Sequence, residues 1–230
     1  MPDHDTGYLQ QRMGNDGLLG RLTDDDRRQV LSSTRRRKYA RGEIVFHEGD
    51  LGDALHLIAK GHVAVRATTP LGDVSTFTVL GPGEVFGEGA LLAPDSRRTG
   101  TVVALEPVET QTLSGDQFGT LRREHPEVDR FLVEVLAAQV RRLSSRLQEA
   151  LFVPAETRVL RRLVELGRSY RSGDGTVVIP LTQDDIASLA GTSRPTANRV
   201  LKAAEDDGVL SVRRGRIEVL DATALEQRAR

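Results

Sequence analysis

From Arg37 to about Leu113 apolar residues fall at alternate positions in short runs: Ile44 and Phe46, Leu55 and Leu57, Val63 and Val65, Phe77 and Val79, Val102 and Ala104. Gly or Pro-Gly separates these runs, at Gly42, Gly49, Gly52, Gly61, Gly72 and Gly81-Pro82-Gly83. Period two with regular turn signals predicts many short strands, and hence an all-β sandwich or barrel. Upstream, Leu18 to Leu31 has helical spacing with Thr23 placed as its cap, and residues 1–17 form a polar tail.

The period changes at Pro126. Proline suits a first helical turn, and Glu127 and Asp129 suit the positive end of the helix dipole, so a helix is expected from Pro126 to about Phe152. Along it Val133, Leu136, Val140, Leu143, Leu147 and Ala150 recur at spacings of three and four. Such a seam can pack on the helix's own β domain or against a second copy. Its Arg-rich flanks and its place between two domains favour a homodimer axis.

Pro154 opens a second compact unit. Thr157 to Ser169 is helical, Ser172 to Gly175 is a turn and Val177 to Pro180 a short strand. Next, Thr182 caps a helix with Asp185 three residues on, Gly191 ends it, and Ser193 caps another in which Pro195 falls in the permissive first turn. Small or apolar Ala187, Ala197, Val200, Leu201 and Ala204 let the two helices cross closely, as a helix-turn-helix requires. The second helix presents Arg194, Pro195, Thr196, Asn198, Arg199 and Lys202. Arg matches guanine O6 and N7, Asn matches adenine, and Lys holds phosphate. A hairpin from Leu210 to Leu220 carries Arg213 and Arg214 as a wing. The expected partner is double-stranded DNA with a two-fold symmetric site.

Composition narrows the alternatives. Among 230 residues there is no cysteine, which rules out disulfides, thiolate metal sites and thiol redox sensing. No apolar run approaches the roughly 20 residues of a membrane span, and the N-terminus does not read as a secretory signal, so no membrane partner and a cytoplasmic location are expected. From Pro154 onward 13 Lys+Arg stand against 11 Asp+Glu, a slight excess of the sign that DNA attracts.

The stretch Phe86 to Val102 is the candidate ligand site. A Gly-Glu pair opens a short helical turn, and after a Pro-Asp turn the chain returns with Arg98 and Thr99. Outward backbone N–H groups beside a guanidinium and a hydroxyl make a pocket for a phosphate. Glu88 and Arg98 could instead form a simple ion pair.

The order of these parts resembles the cyclic-AMP receptor protein / fumarate-nitrate regulator family of bacterial transcription regulators. RGEIVFHEGDLGDALHLIAKGHVAV is similar to that family's first β-roll segment, FGE, ALL and Arg98-Thr99 to its phosphate cassette, and LTQDDIASLAGTSRPTANRVL to its DNA-reading motif. The resemblance implies an α+β chain: a jelly-roll β-roll of cyclic-nucleotide-binding type over residues 18–125, a dimerisation helix over 126–152, and a winged helix-turn-helix over 153–230. It implies a cyclic nucleotide effector, cAMP in the first instance, with Gly87, Gly89 and Ala90 at the phosphate, Glu88 on the ribose 2′-hydroxyl, Arg98 and Thr99 on the phosphate, and Ser144 on the base. It also implies Thr182, Ser193, Arg194, Pro195, Thr196, Asn198, Arg199 and Lys202 at DNA, with Arg213 and Arg214 of the wing, RNA polymerase as a further partner, and allosteric control.

Three positions depart from the family pattern. Gly89 stands where an apolar residue follows the cassette Glu, Leu143-Ser144 where a Thr-Ser pair reads adenine, and Pro195 where a Glu follows the first Arg of the reading helix. A regulator of the same fold with another effector, or none, is the alternative. A cupin-like metalloenzyme would need a His-x-His pair that His47, His56 and His62 do not form, and haem sensing would lack a cysteine ligand. No metal and no catalysis are expected.

Overall fold

The computed structural model describes residues 22–68, 74–92, 97–171 and 177–230. The polar tail, the start of the first expected helix, the Gly72 turn, Pro94-Asp95 and the Ser172–Gly175 turn lie outside them. The chain divides into two compact units, one of Met1–Ala67 with Val79–Val140, the other of Thr68–Thr78 with Arg141–Arg230.

The first unit begins with α1 (Asp24–Ser33), capped by Thr23 through the Asp26 N–H. Two four-stranded sheets follow along the chain, built from β1 (Arg35–Tyr39), β2 (Ile44–Phe46), β3 (Ala54–Lys60), β4 (Val63–Thr68), β5 (Val74–Leu80), most of which is grouped with the second unit, β6 (Val85–Phe86), β7 (Thr101–Ala104) and β8 (Val108–Ser114). Their orders are β1-β8-β3-β6 and β2-β7-β4-β5, a β-roll. Strand β3 explains why there are two apolar clusters. Its Leu55 and Leu57 join Phe118, Leu121, Val128, Phe131 and Leu132 on helices, while Ile58, on the other side of the pleat, joins Val63, Phe86, Val102 and Val108.

Two elements differ from the sequence reading. A helix α3 (Gly115–Glu124) fills the interval between the last strand and Pro126, and its capping box, Ser114 with Gln117, was a legible S-x-x-Q signal. Phe77, expected inward with Val79, is 43% exposed, and Thr76 is buried in its place. The Thr76 backbone N–H donates to Ser188 Oγ at 2.8 Å, a polar contact that periodicity does not register.

Helix α4 runs unbroken over Pro126–Phe152. Val128, Phe131 and Leu132 in its first turns are buried, whereas Val133, Val140, Leu143 and Leu147 are 56–66% exposed, Leu136 is 38% exposed and Ala150 is exposed. The helix thus has two apolar faces with different surroundings. One stripe packs on the β-roll, and the seam is bare.

The second unit holds α5 (Ala155–Tyr170), β9 (Val177–Ile179), α6 (Gln183–Ala190), α7 (Arg194–Asp206), β10 (Leu210–Arg213), β11 (Arg216–Val219) and α8 (Ala222–Arg228). The three strands pair antiparallel in the order β10-β11-β9. Helix α8, which the sequence reading did not include, places Leu225 in the core at 1% exposure.

Candidate functional site

Strand β6 ends in Gly87 at φ 87°, and α2 (Glu88–Leu92) begins at the next residue. The returning chain is pinned beside it. Gly49 N–H donates to Arg98 O and Arg98 N–H to Asp50 O, both at 2.9 Å. This brings the Arg98 guanidinium, 4% exposed, under the turn. Its Nη1 donates to Gly87 O at 2.9 Å and its Nη2 to Ala54 O at 3.0 Å, while Cζ lies 4.1 Å from the centre of the Phe46 ring.

Two glycines make room for this side chain. A Cβ on Gly87 would stand 2.5 Å from Arg98 Nη1, in a left-handed backbone that disfavours any side chain. A Cβ on Gly52 would stand 2.2 Å from Ala90 Cβ and 3.1 Å from Arg98 Cζ. The buried charge is only loosely answered: its ion-pair partner Asp53, at 3.7 Å, is 94% exposed, and its Nε is buried without a hydrogen-bond partner. Burial pulls the Arg98 pKa below its ordinary value, with Asp53, Glu88 and Asp50 opposing. A buried cation with spare donors is a receptor for an anion.

Glu88, 7% exposed, does not close this account as a simple ion pair. It accepts instead from Gln139 Nε2 on α4 at 2.9 Å. Gln139 was not singled out in the sequence, because nothing local ties a glutamine to a carboxylate 51 residues away. Ala90 is 2% exposed beneath the turn, Thr99 is exposed beside Arg98, and a Cβ on Gly89 would meet nothing within 4 Å, so the space that an apolar residue fills in the family pattern is open. Ser144 is exposed on α4, in the second unit.

Below the cassette His56 stacks on Phe86, with centroids 4.7 Å apart and planes at 11°, and Phe46 lies 5.9 Å away. Burial first, then the Arg98 charge, pushes His56 down to about 4, so it is neutral at physiological pH. His62 pairs with Glu106 at 2.7 Å, and the His47 N–H donates to Asp50 Oδ2. The three histidines thus serve three separate contacts.

In the second unit Gly191 closes α6 at φ 59°, with the Thr192 N–H donating to Ala187 O at 3.0 Å. Ala187 and Ala190 of α6 and Ala197, Val200 and Leu201 of α7 are all buried, and the two helices pack against each other. Arg158 of α5 bolts the turn: its Nε donates to Ala190 O and its Nη2 to Gly191 O, both at 2.9 Å, satisfying carbonyls that the helix end leaves orphaned.

Thr182 and Ser193 cap α6 and α7 through the N–H groups of Asp185 and Thr196, and Thr196 also shares a hydrogen bond with Ser193. Pro195 lies in the first turn of α7, exposed with Arg194, Arg199 and Lys202. Arg194 lies 3.3 Å from Asp184, and Arg199 Nη2 2.6 Å from Glu156 Oε1. Asn198 is half-buried, and its Oδ1 has no partner. Arg213 and Arg214 are exposed at the tip of the β10–β11 hairpin. Asp184 and Glu156 come from helices other than α7, and no local pattern in the sequence points to either.

Comparison with known proteins adds to this geometry. Residues 36–125 match the cyclic nucleotide-binding domain, and residues 157–228 match the Crp-like helix-turn-helix domain. The chain is 37% identical to the cyclic AMP receptor protein of Thermus thermophilus over 198 residues, covering 86% of this chain and 89% of that protein. The chain belongs to the CRP family of transcription regulators. This regulator is also 30% identical, over 84% of its length and 87% of the relative's, to the CRP-like cAMP-activated global transcriptional regulator of Mycobacterium tuberculosis. Among solved structures it matches the Thermus thermophilus catabolite activator protein at 36% identity and a TM-score of 0.53, covering 92% of this chain and 97% of that one. The c-di-GMP responsive regulator CLP of Xanthomonas campestris shares the fold at a TM-score of 0.70 and 22% identity, covering 84% and 96%.

As a member of that family the regulator binds DNA through its helix-turn-helix and carries a cyclic nucleotide-binding β-roll. The residues at the cassette fit such an effector, given the partnerless Arg98 Nε and the cradle that a side chain on Gly87 would fill. Among the described residues no helix is long and apolar enough to cross a membrane.

Proposed function

We propose that the regulator is a homodimer whose binding to a two-fold symmetric DNA site is controlled by a cyclic nucleotide, cAMP first among them, held in the cassette. The observation that carries this reading is Arg98: a buried guanidinium with an unused donor beneath a glycine turn is suited to a cyclic phosphate. Gly87, Gly89 and Ala90 frame the phosphate, Thr99 adds a hydroxyl, and Glu88 accepts from the ribose, exchanging its present Gln139 donor for the 2′-hydroxyl. Ser144 is left to reach the base. The relatives named for cAMP support that choice, whereas Leu143 at the adenine-reading position favours a second reading in which another nucleotide is the effector.

The bare seam of α4 supports the dimer, since exposed Val133, Val140, Leu143 and Leu147 would be covered by the same stripe of a second copy. Residues 18–125 serve as effector domain, 126–152 as dimer helix and 153–230 as reading head, with Arg194, Asn198 and Arg199 on bases and Lys202, Arg213 and Arg214 on phosphates. A regulator of this kind works in the cytoplasm, with RNA polymerase as its further partner. Calorimetric titration of cAMP, cGMP and c-di-GMP into wild type and Arg98→Ala tests the effector. Millimolar-or-better binding of cAMP that is lost in Arg98→Ala supports the proposal. Binding of another nucleotide alone selects the second reading, and binding that survives Arg98→Ala removes the cassette from the account.

A further inference from the structure

Arg199 projects from the outward face of α7 with 70% of its side chain in solvent, yet it is held: Nη2 lies 2.6 Å from Oε1 of Glu156, whose own side chain is 50% exposed. A solvated pair of this kind contributes little to stability, so its consequence lies in what it does to Arg199. Glu156 sits in the first turn of α5. Two residues on, Arg158 donates to Ala190 O and Gly191 O in the turn of the helix-turn-helix and to Val153 O at 2.8 Å. The backbone that carries Glu156 is therefore bolted to the turn from which α7 starts, and the carboxylate is presented to Arg199 by a rigid mount. Arg194 has a parallel partner in Asp184 of α6 at 3.3 Å. Pro195 meanwhile leaves the opening of α7 without an acidic side chain of its own.

A guanidinium has five N–H donors, and one carboxylate oxygen occupies one of them. The remainder can still meet guanine O6 and N7, which are neutral acceptors, whereas a phosphate brought to the same place would also approach the Glu156 charge. We propose that Glu156 is a specificity-determining positioning residue: by holding Arg199 through one amino group, it reserves the guanidinium for a base edge and turns it away from phosphate. Ordering the side chain before DNA arrives also reduces the entropy lost on contact. This inference rests on the reading of Arg199 as a base contact.

The test begins with the DNA site that full-length wild type selects from a randomised pool, with and without cAMP. Affinity for that site and for a random duplex is then measured across salt concentrations for wild type, Glu156→Gln, Arg199→Ala and the double variant. Glu156→Gln should tighten random-duplex binding about 3–10-fold and steepen its salt dependence by about one phosphate contact, while leaving the selected site within about 2-fold. In the Arg199→Ala background it should change the ratio of the two affinities by less than about 2-fold. Equal tightening on both DNAs, no change on either, or an undiminished effect without Arg199 would each overturn the role of Glu156. Arg199→Ala that keeps the wild-type site preference would instead remove Arg199 from base reading.

Discussion

Arg98 in the β-roll is 4% exposed and has its amino groups on the carbonyls of Gly87 and Ala54, whereas Arg199 on α7 is mostly in solvent with its amino group on the carboxylate of Glu156. In the first environment carbonyls orient a buried guanidinium whose ion-pair partner, Asp53 at 3.7 Å, stands in solvent. An arriving anion can therefore meet the cation in a poorly solvated place. The second environment neutralises the cation at the surface, where water would in any case screen it, and the gain there is selectivity rather than strength.

The comparison can be broken most forcefully at Arg98. Arg98→Lys keeps the charge but cannot span two carbonyls, and it should weaken effector binding by about 2–3 kcal/mol, roughly 30- to 150-fold, as read by calorimetry. Unchanged affinity would mean that charge alone suffices. His56, stacked under the same cassette, offers an effect of similar size on stability. Its pKa is about 4 in the folded chain and near the ordinary 6.5 when unfolded, so below 6.5 the unfolded chain takes up the proton first. Stability is therefore whole above pH 6.5 and is lost as pH falls toward 4, by about 3 kcal/mol over that window. Denaturant unfolding of His56→Phe, which keeps the stack, should lack this part of the slope. An unaltered slope would mean that His56 does not carry it.

The same Lys exchange at the surface sharpens the contrast. Arg199→Lys should cost about 1–2 kcal/mol on the selected DNA site and little on random DNA, and a loss as large as that at Arg98 would erase the distinction between the two sites. The smallest expected change is at Gly89, where an added Cβ meets open space. Gly89→Leu should strengthen nucleotide binding by about 1 kcal/mol, roughly 5-fold, by covering the sugar, and weaker binding would show that the opening is used by the ligand.

Much of the fold could be read from the chain because local rules agreed with the tertiary outcome. Alternation gave most of the strands, Thr182 with Asp185 and Ser193 with Pro195 gave the starts of α6 and α7, and Gly191 adopts the left-handed cap its position called for. At β5 alternation misled: Thr76 is buried and hydrogen-bonded to Ser188, while Phe77 is exposed. Helix α3 was missed although its capping box was present, since short runs of mixed polarity carry little periodicity.

At the sites, the sequence determined which groups are available: a glycine turn followed by a glutamate, an arginine returning after a Pro-Asp turn, and a helix bearing two arginines and an asparagine. These follow from residue type and spacing along one segment. What only the tertiary structure decided is how each charge is answered. Gln139 on Glu88, Ala54 O on Arg98, Asp184 on Arg194 and Glu156 on Arg199 come from other elements or distant positions. Electrostatic partners are chosen by distance in space, and in all four cases that distance is set by packing rather than by periodicity.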